Sequence, residues 1–386
     1  MIAQPSHQTE IHQFCDDILS GKLVAGRLER YAIERYYDDL EHADEKGFYF
    51  DEKAASDAID FFSVLKHTTG EFAGDPFVPR KFQKFIIWNL YGWKRKDGLR
   101  RFRQAYLSFA RGNGKSPFAA GLANQAFLDP NDARAQVYTF ATKEEQAKIV
   151  WAEARKQIEA SQDDELINLV ERYQKSMAIT LPPWNGSLFE PKGSDSKGSD
   201  GWILSFGVVD ELHAWSDHHR GLLDNIVTSM GKRREPMLVC ITTAGDESSE
   251  IWQEEYDFAC QVVTPDTGVN DESQFVYICE VDKDENCSKC NGKGCEDCGD
   301  KGTMEIDVLR EELWAQGNPM LREPNSPVKI DFLRSLAAKA EHKPSALNQF
   351  KRYHANQQVA SFFKWMTSEL WARGNGTLSD LEGLPC

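Results

Sequence analysis

The spacing of hydrophobic residues changes part-way along the chain. In the first 98 residues apolar positions recur every three or four residues, which is typical of amphipathic helices. The pattern predicts four helical segments: Ile11–Ile18, Leu28–Leu40, Ala54–Leu65 and Arg80–Trp93. Glycines and prolines between residues 70 and 79 separate the last segment from the others. Residues 1–98 are therefore predicted to form a mainly helical extension.

From about Leu99 short apolar runs alternate with helical segments. The predicted strands are Ala105–Ala110, Gln136–Ala141, Ile203–Asp210, Met237–Thr243 and Phe275–Val281. The predicted helices are Pro117–Leu128, Glu144–Ala160, Gly221–Met230, Ile306–Gln316 and Ile330–Gln358. A run rich in glycine and serine at residues 186–200 predicts a loop. This alternation is typical of an α/β fold with a mainly parallel sheet flanked by helices, placed here at residues 99–260, with a C-terminal subdomain at residues 261–386.

Charge and hydropathy exclude some classes of protein. The 386 residues include 45 basic and 61 acidic ones, for a net charge of −16, which excludes a protein that coats nucleic acid by bulk charge. Residues 94–103 run against this trend with six basic residues, which predict either contacts to DNA phosphates or a solvated loop. No apolar run is long enough for a membrane span, and the N-terminus does not resemble a secretory signal. A cytosolic protein without a membrane partner is expected.

A phosphate-binding motif lies between the first predicted strand of the sheet and the helix after it. Residues 111–116 read Arg-Gly-Asn-Gly-Lys-Ser. In a P-loop the backbone N–H groups cradle phosphates, which here predicts a role for Gly112, Asn113 and Gly114. Lys115 would reach the β- and γ-phosphates, and Ser116 would bind Mg²⁺. Phe109 stands where the full pattern has its first glycine, so other motifs must support the prediction.

Two acidic residues end the strand predicted at Ile203–Asp210. In P-loop ATPases with a catalytic glutamate, the first acid holds Mg²⁺ and the second polarises the attacking water. Asp210 and Glu211 match these roles, although a strand can also simply end in surface acids. Their combination with Lys115 favours one nucleotide site.

Hydroxyl groups end the strand predicted at Met237–Thr243. Ligands of open α/β sheets bind at the carboxyl ends of the strands, so Thr242 and Thr243 are predicted to sense the γ-phosphate and couple its state to the rest of the protein. The alternative is that threonine merely suits a strand.

Together these motifs resemble the large terminase subunit of tailed bacteriophages, the ATPase that drives DNA packaging. The resemblance rests on the motif at residues 111–116, on Val-Asp-Glu-Leu-His at 209–213 and on Thr-Thr-Ala-Gly at 242–245. With further similarity in the N-terminal part and at residues 350–356, it covers about residues 15–386 outside a cysteine cluster. It implies a P-loop NTPase fold with a catalytic glutamate, hydrolysing Mg²⁺–ATP.

The resemblance also implies roles for single residues. Arg111 would contact the γ-phosphate, and Gln83 would recognise adenine, although the family's Pro-Trp-Gln is here Pro-Arg-Lys-Phe-Gln. An arginine from a neighbouring subunit would add positive charge in the transition state. The candidates for that arginine are Arg220, Arg233 and Arg234, with Lys197 as a further basic residue.

The partners that the resemblance implies are double-stranded DNA, a portal protein and a small terminase subunit. The subunits would assemble into a homo-oligomeric ring in the host cell cytoplasm, while the isolated chain could stay monomeric. Family members continue into an RNase H-like nuclease. Because this sequence stops about where that domain begins, DNA cleavage is not expected of it.

Four cysteines form two Cys-x-x-Cys pairs at Cys287, Cys290, Cys295 and Cys298. Four thiolates suit tetrahedral Zn²⁺ with no open position for catalysis, which predicts a structural zinc hairpin inserted at residues 287–302. The alternative is a reduced loop without metal. A docking role toward DNA or the portal is one hypothesis for the hairpin.

Two other functions remain open at this point. One is another P-loop DNA translocase or helicase, which would act on single strands or unwind duplexes. The other is a scaffold that binds nucleotide and zinc without turnover. Such a scaffold would not need an acid at Glu211.

Overall fold

The computed structural model describes residues 6–180, 182, 186–194, 201–290 and 292–359. Within these ranges one hydrophobic core extends from Ile11 in the first helix to Ala355. No helix of the described chain is both long and apolar enough to cross a membrane.

The N-terminal extension is helical, as predicted. Its helices are α1 (His7–Leu19), α2 (Arg27–Glu41), α3 (Ala43–Lys46), α4 (Glu52–Phe61) and α5 (Lys81–Gly92). Strands β1 (Phe48–Phe50) and β2 (Trp93–Arg95) form an antiparallel pair within it. The Ser6 hydroxyl accepts a hydrogen bond from the Thr9 amide at 3.2 Å and so caps the first turn of α1.

An eight-stranded sheet forms the centre of the molecule. Its strands are β3 (Gln104–Ser108), β4 (Gln136–Phe140), β5 (Glu171–Arg172), β6 (Met177–Ile179), β7 (Ser187–Lys192), β8 (Phe206–Asp210), β9 (Met237–Thr242) and β10 (Gln274–Ile278). Their order is β10-β3-β9-β8-β4-β7-β6-β5. The six strands from β10 to β7 are parallel, and only β6 and β5 pair antiparallel. The prediction of a mainly parallel sheet is therefore confirmed.

Helices pack against the central sheet. The central helices are α6 (Lys115–Phe127), α7 (Glu144–Glu159), α8 (Asp164–Leu169), α9 (Arg220–Met230) and α10 (Glu250–Val263). The C-terminal part holds β11 (Asp284–Asn286), β12 (Thr303–Glu305), α11 (Trp314–Gly317), α12 (Ile330–Ala340) and α13 (Pro344–Tyr353). α6 and α7 pack together against the sheet, and α2, α5 and α10 pack against β10. Since β10 follows residue 260 yet pairs with β3, the chain returns to the main sheet after α10.

Several local predictions were wrong. The loop predicted at residues 186–200 contains β7, whose alternate side chains are buried, and residues 195–200 lie outside the described chain. The helix predicted at Ile306–Gln316 is mostly absent, because the chain turns back so that the Trp314 indole donates to the Val308 carbonyl at 3.1 Å. The segment Ile330–Gln358 divides into α12 and α13 before Pro344, which has no N–H to continue a helix. Helix α10 and strands β5 and β6 had no clear sequence signal.

The basic stretch at residues 94–103 is largely structural. Arg101 is only 2% exposed, and its guanidinium donates to Asp39 at 2.7 Å and to Glu272. The same guanidinium lies 4.4 Å from the Phe48 ring centroid. The backbone amide of Arg100 donates to Glu235 at 2.6 Å. The predicted alternatives, DNA contact or a solvated loop, are both wrong for Arg101, which ties the extension to the sheet.

Glu280 follows β10 and is a buried acid whose environment makes stability depend on pH. The Tyr256 hydroxyl lies 2.9 Å from each of its carboxylate oxygens, and the residue is 7% exposed. Burial raises the pKa of Glu280 from its ordinary 4.5 to about 7. A folded-state pKa above the unfolded one means that the unfolded chain ionises first as the pH rises. Stability is therefore lost progressively between about pH 4.5 and pH 7.

Glu280→Gln is expected to remove this loss, because an amide keeps the hydrogen bond to Tyr256 without ionising. Its stabilising effect should grow by about 1–2 kcal/mol between about pH 5.5 and pH 8, measured by chemical denaturation. The same change at the exposed Glu341 is the control. An equal effect of Glu280→Gln at both pH values would contradict the assignment.

Candidate functional site

The loop between β3 and α6 has the shape that the P-loop motif requires. Gly112 and Gly114 have φ angles of 86° and 68°, in the left-handed region that glycine adopts at little cost. A Cβ atom on Gly114 would lie 3.0 Å from the Met320 Cε. The loop ends at the N-terminus of α6, where free N–H groups favour anions.

Lys115 lies inside this loop. Its Nζ donates to the carbonyls of Phe109 and Ala110 at 2.8 and 3.0 Å, and the residue is 7% exposed. Burial lowers the pKa of Lys115 to about 8, while Glu211 and Asp210 oppose the shift. The Lys115 ammonium therefore interacts electrostatically with both acids.

Phe109 explains how the loop can lack its first glycine. The side chain is 1% exposed and packs edge-on against Phe82 of α5 and Tyr277 of β10, with ring centroids 5.5 and 6.2 Å away. Only its carbonyl faces Lys115. The side chain therefore points into the core and leaves the inside of the loop free.

The C-terminal part of the chain braces the loop. The Arg111 amide donates to the Tyr353 carbonyl at 2.8 Å, and the Arg111 guanidinium carbon lies 3.5 Å from the Tyr353 ring centroid. The Asn113 side chain donates to Asn318 at 3.0 Å and accepts from the Met320 amide at 3.2 Å. Arg111 is therefore held on Tyr353, and Asn113 fixes the loop to residues 318–320.

Asp210 ends β8 and Glu211 follows it, two strands away from the loop. Asp210 is 3% exposed, and burial together with the neighbouring Glu211 raises its pKa to about 7, against the opposing effect of Lys115. Glu211 has a left-handed φ of 52°, and its amide donates to the Ile241 carbonyl at 3.0 Å. This backbone turn directs the Glu211 carboxylate toward the His213 Nε2, 3.0 Å away.

Both threonines at the end of β9 are buried. The Thr242 hydroxyl lies 3.2 Å from the His213 Nδ1 and 2.8 Å from the Thr243 carbonyl. Within the described part of the chain the Thr243 hydroxyl has no hydrogen-bond partner. A buried hydroxyl without a partner at this strand edge fits a polar ligand.

A cleft of about 420 Å³ opens beside the loop. Its lining combines apolar side chains such as Phe77 and Val78 with polar ones that include Gln83, Arg80 and Lys84. The Gln83 Oε1 accepts the Arg80 amide at 2.9 Å and caps α5, which leaves the Nε2 group facing Gly114. A cleft that offers both apolar contacts and hydrogen-bonding groups suits a flat heterocyclic ring.

Most residues of this site lie in a range that matches a known protein family. Residues 81–261 match the family model described as "Terminase large subunit, ATPase domain". Residues 81–261 therefore resemble the ATPase domain of a terminase large subunit. The matched range includes the loop, both acids and both threonines, and it excludes the cysteine cluster.

Solved structures resemble the terminase ATPase domain and its flanking parts. The large terminase of bacteriophage HK97 is 22% identical, covers 79% of this chain and aligns with a TM-score of 0.62. This chain spans 55% of that protein's length. A mutant ATPase domain of the large terminase from Thermus phage P74-26 is 13% identical, with 66% of this chain and 89% of that chain covered and a TM-score of 0.42. No curated protein sequence matches the chain.

The arginines predicted to act on a neighbouring subunit lie on two different edges of the terminase sheet. Arg220 begins α9 after the β8 loop, on the edge that carries the phosphate loop, and it pairs with Glu254 at 2.6 Å. Arg233 and Arg234 precede β9 and so lie at the opposite edge of the parallel strands. Lys197 falls outside the described residues.

The four cysteines converge as predicted. Their sulfur atoms all lie within 4.8 Å of one another, at the end of the β11–β12 hairpin. The Sγ separations are 3.8 Å for Cys287–Cys295, 3.8 Å for Cys290–Cys298 and 3.7 Å for Cys295–Cys298. A tetrahedral zinc with Zn–S bonds of about 2.3 Å requires roughly 3.8 Å between sulfurs. The cluster is therefore compatible with Zn²⁺.

Purified protein produced with zinc is expected to contain about one zinc per chain, measured by elemental analysis, because four preorganised thiolates bind the ion tightly. Cys290→Ser should lower this content several-fold, since it removes one of four ligands. Cys260→Ser, on the distant helix α10, should leave it unchanged. If wild-type protein contained less than about one fifth of a zinc ion per chain, the hairpin would be a metal-free loop.

Two residues that sequence reasoning did not assign lie at the centre of the site. The Asn356 amide donates to Ser108 at 2.9 Å and to the Cys279 carbonyl at 2.8 Å, and its oxygen accepts from the Ala244 amide at 2.8 Å. It thus ties together the ends of β3, β9 and β10. His213 links the β8 and β9 loops. Both belong to motifs noted in the sequence, but their contacts involve residues far away along the chain.

Proposed function

We propose that the chain hydrolyses Mg²⁺-bound ATP and uses the energy to move double-stranded DNA through a portal into a viral procapsid. The observation that carries the proposal is the grouping of the buried Lys115 and Asp210 with Glu211, in a range that matches the terminase large-subunit ATPase domain. Such a grouping places a cation for the phosphates opposite a metal-binding acid and a general base.

Each residue of the site would have a separate role. Lys115 would leave the loop carbonyls and bind the β- and γ-phosphates, while Ser116 and Asp210 would hold Mg²⁺. When bound, Mg²⁺ neutralises charge on the phosphate oxygens. Glu211 would accept a hydrogen bond from the attacking water and orient it.

Other residues would recognise the nucleotide or report its state. The free Gln83 amide and the apolar wall of the cleft would take the adenine ring. Thr243, whose hydroxyl has no partner among the described residues, would respond to the γ-phosphate together with Thr242. Arg111 would move from the Tyr353 ring to the phosphates, where a planar guanidinium binds well.

The partners follow from the family. We propose a ring of subunits in the host cytoplasm that contacts portal protein and small terminase subunit. In that ring one of Arg220, Arg233 and Arg234 would reach the neighbouring site. Because Arg220 already lies on the phosphate edge, only its ion pairs with Glu254 and Asp217, at 2.6 and 2.9 Å, would have to break.

We also propose that the cysteine hairpin holds a structural Zn²⁺. Four thiolates leave no open position for a substrate. Residues 284–305 contain twice as many acidic as basic side chains, which disfavours DNA phosphates as the hairpin's partner.

The proposal is tested by comparing ATP turnover of wild type and Lys115→Ala, with and without double-stranded DNA. Wild type is expected to hydrolyse ATP. Turnover by Lys115→Ala should be at least about 100-fold lower, because the phosphates lose the cation that binds them. Single-stranded DNA should not replace duplex DNA, and no unwinding should occur. Turnover unaffected by Lys115→Ala would defeat the proposal, and unwinding would favour the helicase alternative.

A further inference from the structure

His213 lies between the proposed general base and the end of the neighbouring strand. The residue is 7% exposed. Its Nε2 is 3.0 Å from a Glu211 carboxylate oxygen, and its Nδ1 is 3.2 Å from the Thr242 hydroxyl. Its backbone amide also donates to the Thr242 hydroxyl, at 3.1 Å. The Ser249 hydroxyl donates to the His213 carbonyl at 2.8 Å and fixes the backbone. One side chain therefore bridges the ends of β8 and β9.

The hydrogen-bonding capacity of these groups defines how the bridge is made. Burial, with the nearby charges of Arg352 and Arg111, lowers the pKa of His213 to about 3, so the imidazole is neutral. A neutral imidazole donates from one nitrogen and accepts at the other. An ionised Glu211 only accepts, so a hydrogen bond to it requires the proton on Nε2 and leaves Nδ1 as an acceptor.

The Thr242 hydroxyl has one proton and two acceptors within reach. It can donate to the His213 Nδ1 or to the Thr243 carbonyl, 2.8 Å away. The first arrangement requires the Nε2–H form that holds Glu211. The second satisfies the Thr243 carbonyl and favours the other neutral tautomer, in which Nε2 has lost its proton to water and Nδ1 has gained one and donates to the Thr242 oxygen. Nε2 then no longer donates to Glu211. The orientation of one hydroxyl is thus linked to whether the carboxylate is held.

We propose that His213 is a positioning residue that sets the orientation of Glu211 through Nε2 and couples it to the end of β9 through Nδ1. The inference rests on the proposed ATPase function and adds a residue to it. His213 would touch neither nucleotide nor metal.

The contacts continue from Thr242 toward the C-terminal helix. Directly after the threonines, the Ala244 carbonyl accepts from the Arg352 Nε at 3.0 Å, and Asp246 pairs with the same guanidinium at 2.6 Å. Tyr353, the next residue of α13, carries the stacked Arg111. Contacts between neighbouring residues therefore connect Glu211 to Arg111 on the phosphate loop.

Two substitutions separate the two contacts of the ring. His213→Gln places an amide near the position of Nε2 and can still donate to Glu211. His213→Asn places an amide near Nδ1 and cannot reach Glu211. His213→Asn is expected to lower kcat about 10- to 100-fold with KM within about twofold, because a misplaced base slows chemistry without weakening binding. His213→Gln should stay within about fivefold of wild type.

The exposed His218 of the same loop provides the matched control, and His218→Asn should behave as wild type. The double variant His213→Asn with Thr242→Val should lose less kcat than the product of the two single fold-losses, because both residues belong to one chain of hydrogen bonds. Two outcomes would overturn the proposal: an equal fall in kcat for His213→Gln and His213→Asn, or a rise in KM or a fall in melting temperature with kcat unchanged.

Failure of the ATPase proposal is recognised separately, by turnover that Lys115→Ala does not change. In that case ¹⁵N-histidine NMR of the nucleotide-free chain still tests the bridge. His213 is expected to show the Nε2–H tautomer, with an Nδ1 resonance that shifts in Thr242→Val. A resonance insensitive to Thr242→Val would refute the link to β9.

Discussion

Glu211→Gln is expected to lower ATP turnover by about 10²- to 10⁴-fold while nucleotide affinity stays within about threefold of wild type. The amide has the shape of the carboxylate, and its oxygen can still accept from the His213 Nε2, 3.0 Å away in the wild type. It cannot take a proton from the attacking water. The measurements are steady-state hydrolysis and equilibrium binding of a fluorescent ADP analogue.

The control for Glu211→Gln is Glu165→Gln on the exposed side of α8. It should hydrolyse ATP at the wild-type rate. If Glu211→Gln kept turnover within about threefold of wild type, another group would have to be the base. Loss of binding together with turnover would instead indicate that the β8 loop had collapsed.

Arg322→Leu is expected to destabilise the protein by about 3–5 kcal/mol, since it leaves a buried carboxylate without its partner. The Arg322 guanidinium holds both oxygens of Glu29, at 2.5 and 2.6 Å, and the two side chains are 3% and 0% exposed. The Tyr277 hydroxyl donates to the same carboxylate at 2.5 Å. Chemical denaturation measures the loss.

Arg334→Leu is the matched control for Arg322→Leu. Its guanidinium pairs with Glu311 at 2.6 Å, but the side chain is 54% exposed, so the cost should stay below about 1 kcal/mol. The double variant Glu29→Leu with Arg322→Leu should recover part of the loss, because no unpaired charge stays buried. Similar costs for both single arginine changes would mean that the buried pair adds nothing beyond an exposed one.

Much of the fold and of the candidate site could be predicted from local patterns. The spacing of apolar residues identified four of the five described helices of the extension and five of the six parallel strands, because a strand buried on both faces is a continuous apolar run. The carboxyl ends of parallel strands share an edge, so Lys115, Asp210 and Thr243 could be assigned to one site before any coordinates. The cysteine spacing likewise predicted a cluster that forms within a short hairpin.

Other features could not be predicted, because their patterns are ambiguous. Strand β7 lies beside a glycine- and serine-rich segment, and its alternation covers too few residues to outweigh that composition. The basic residues around Arg101 have the composition of a phosphate-binding surface. Only their packing against Asp39 and aromatic rings shows that they are structural.

The sequence by itself determined the chemistry of this protein: a phosphate loop, two acids, hydroxyls at a strand end and four thiolates. These are local, since each motif lies within a few residues of one strand or hairpin. Only the tertiary structure decided how the site is supported. Asn318, Tyr353 and Asn356 reach the phosphate loop and strand ends from the C-terminal part of the chain. His213 bridges two strands that are adjacent only in the folded sheet. Such contacts depend on which elements pack together in the fold. The spacing of residues along the chain does not indicate which elements these are.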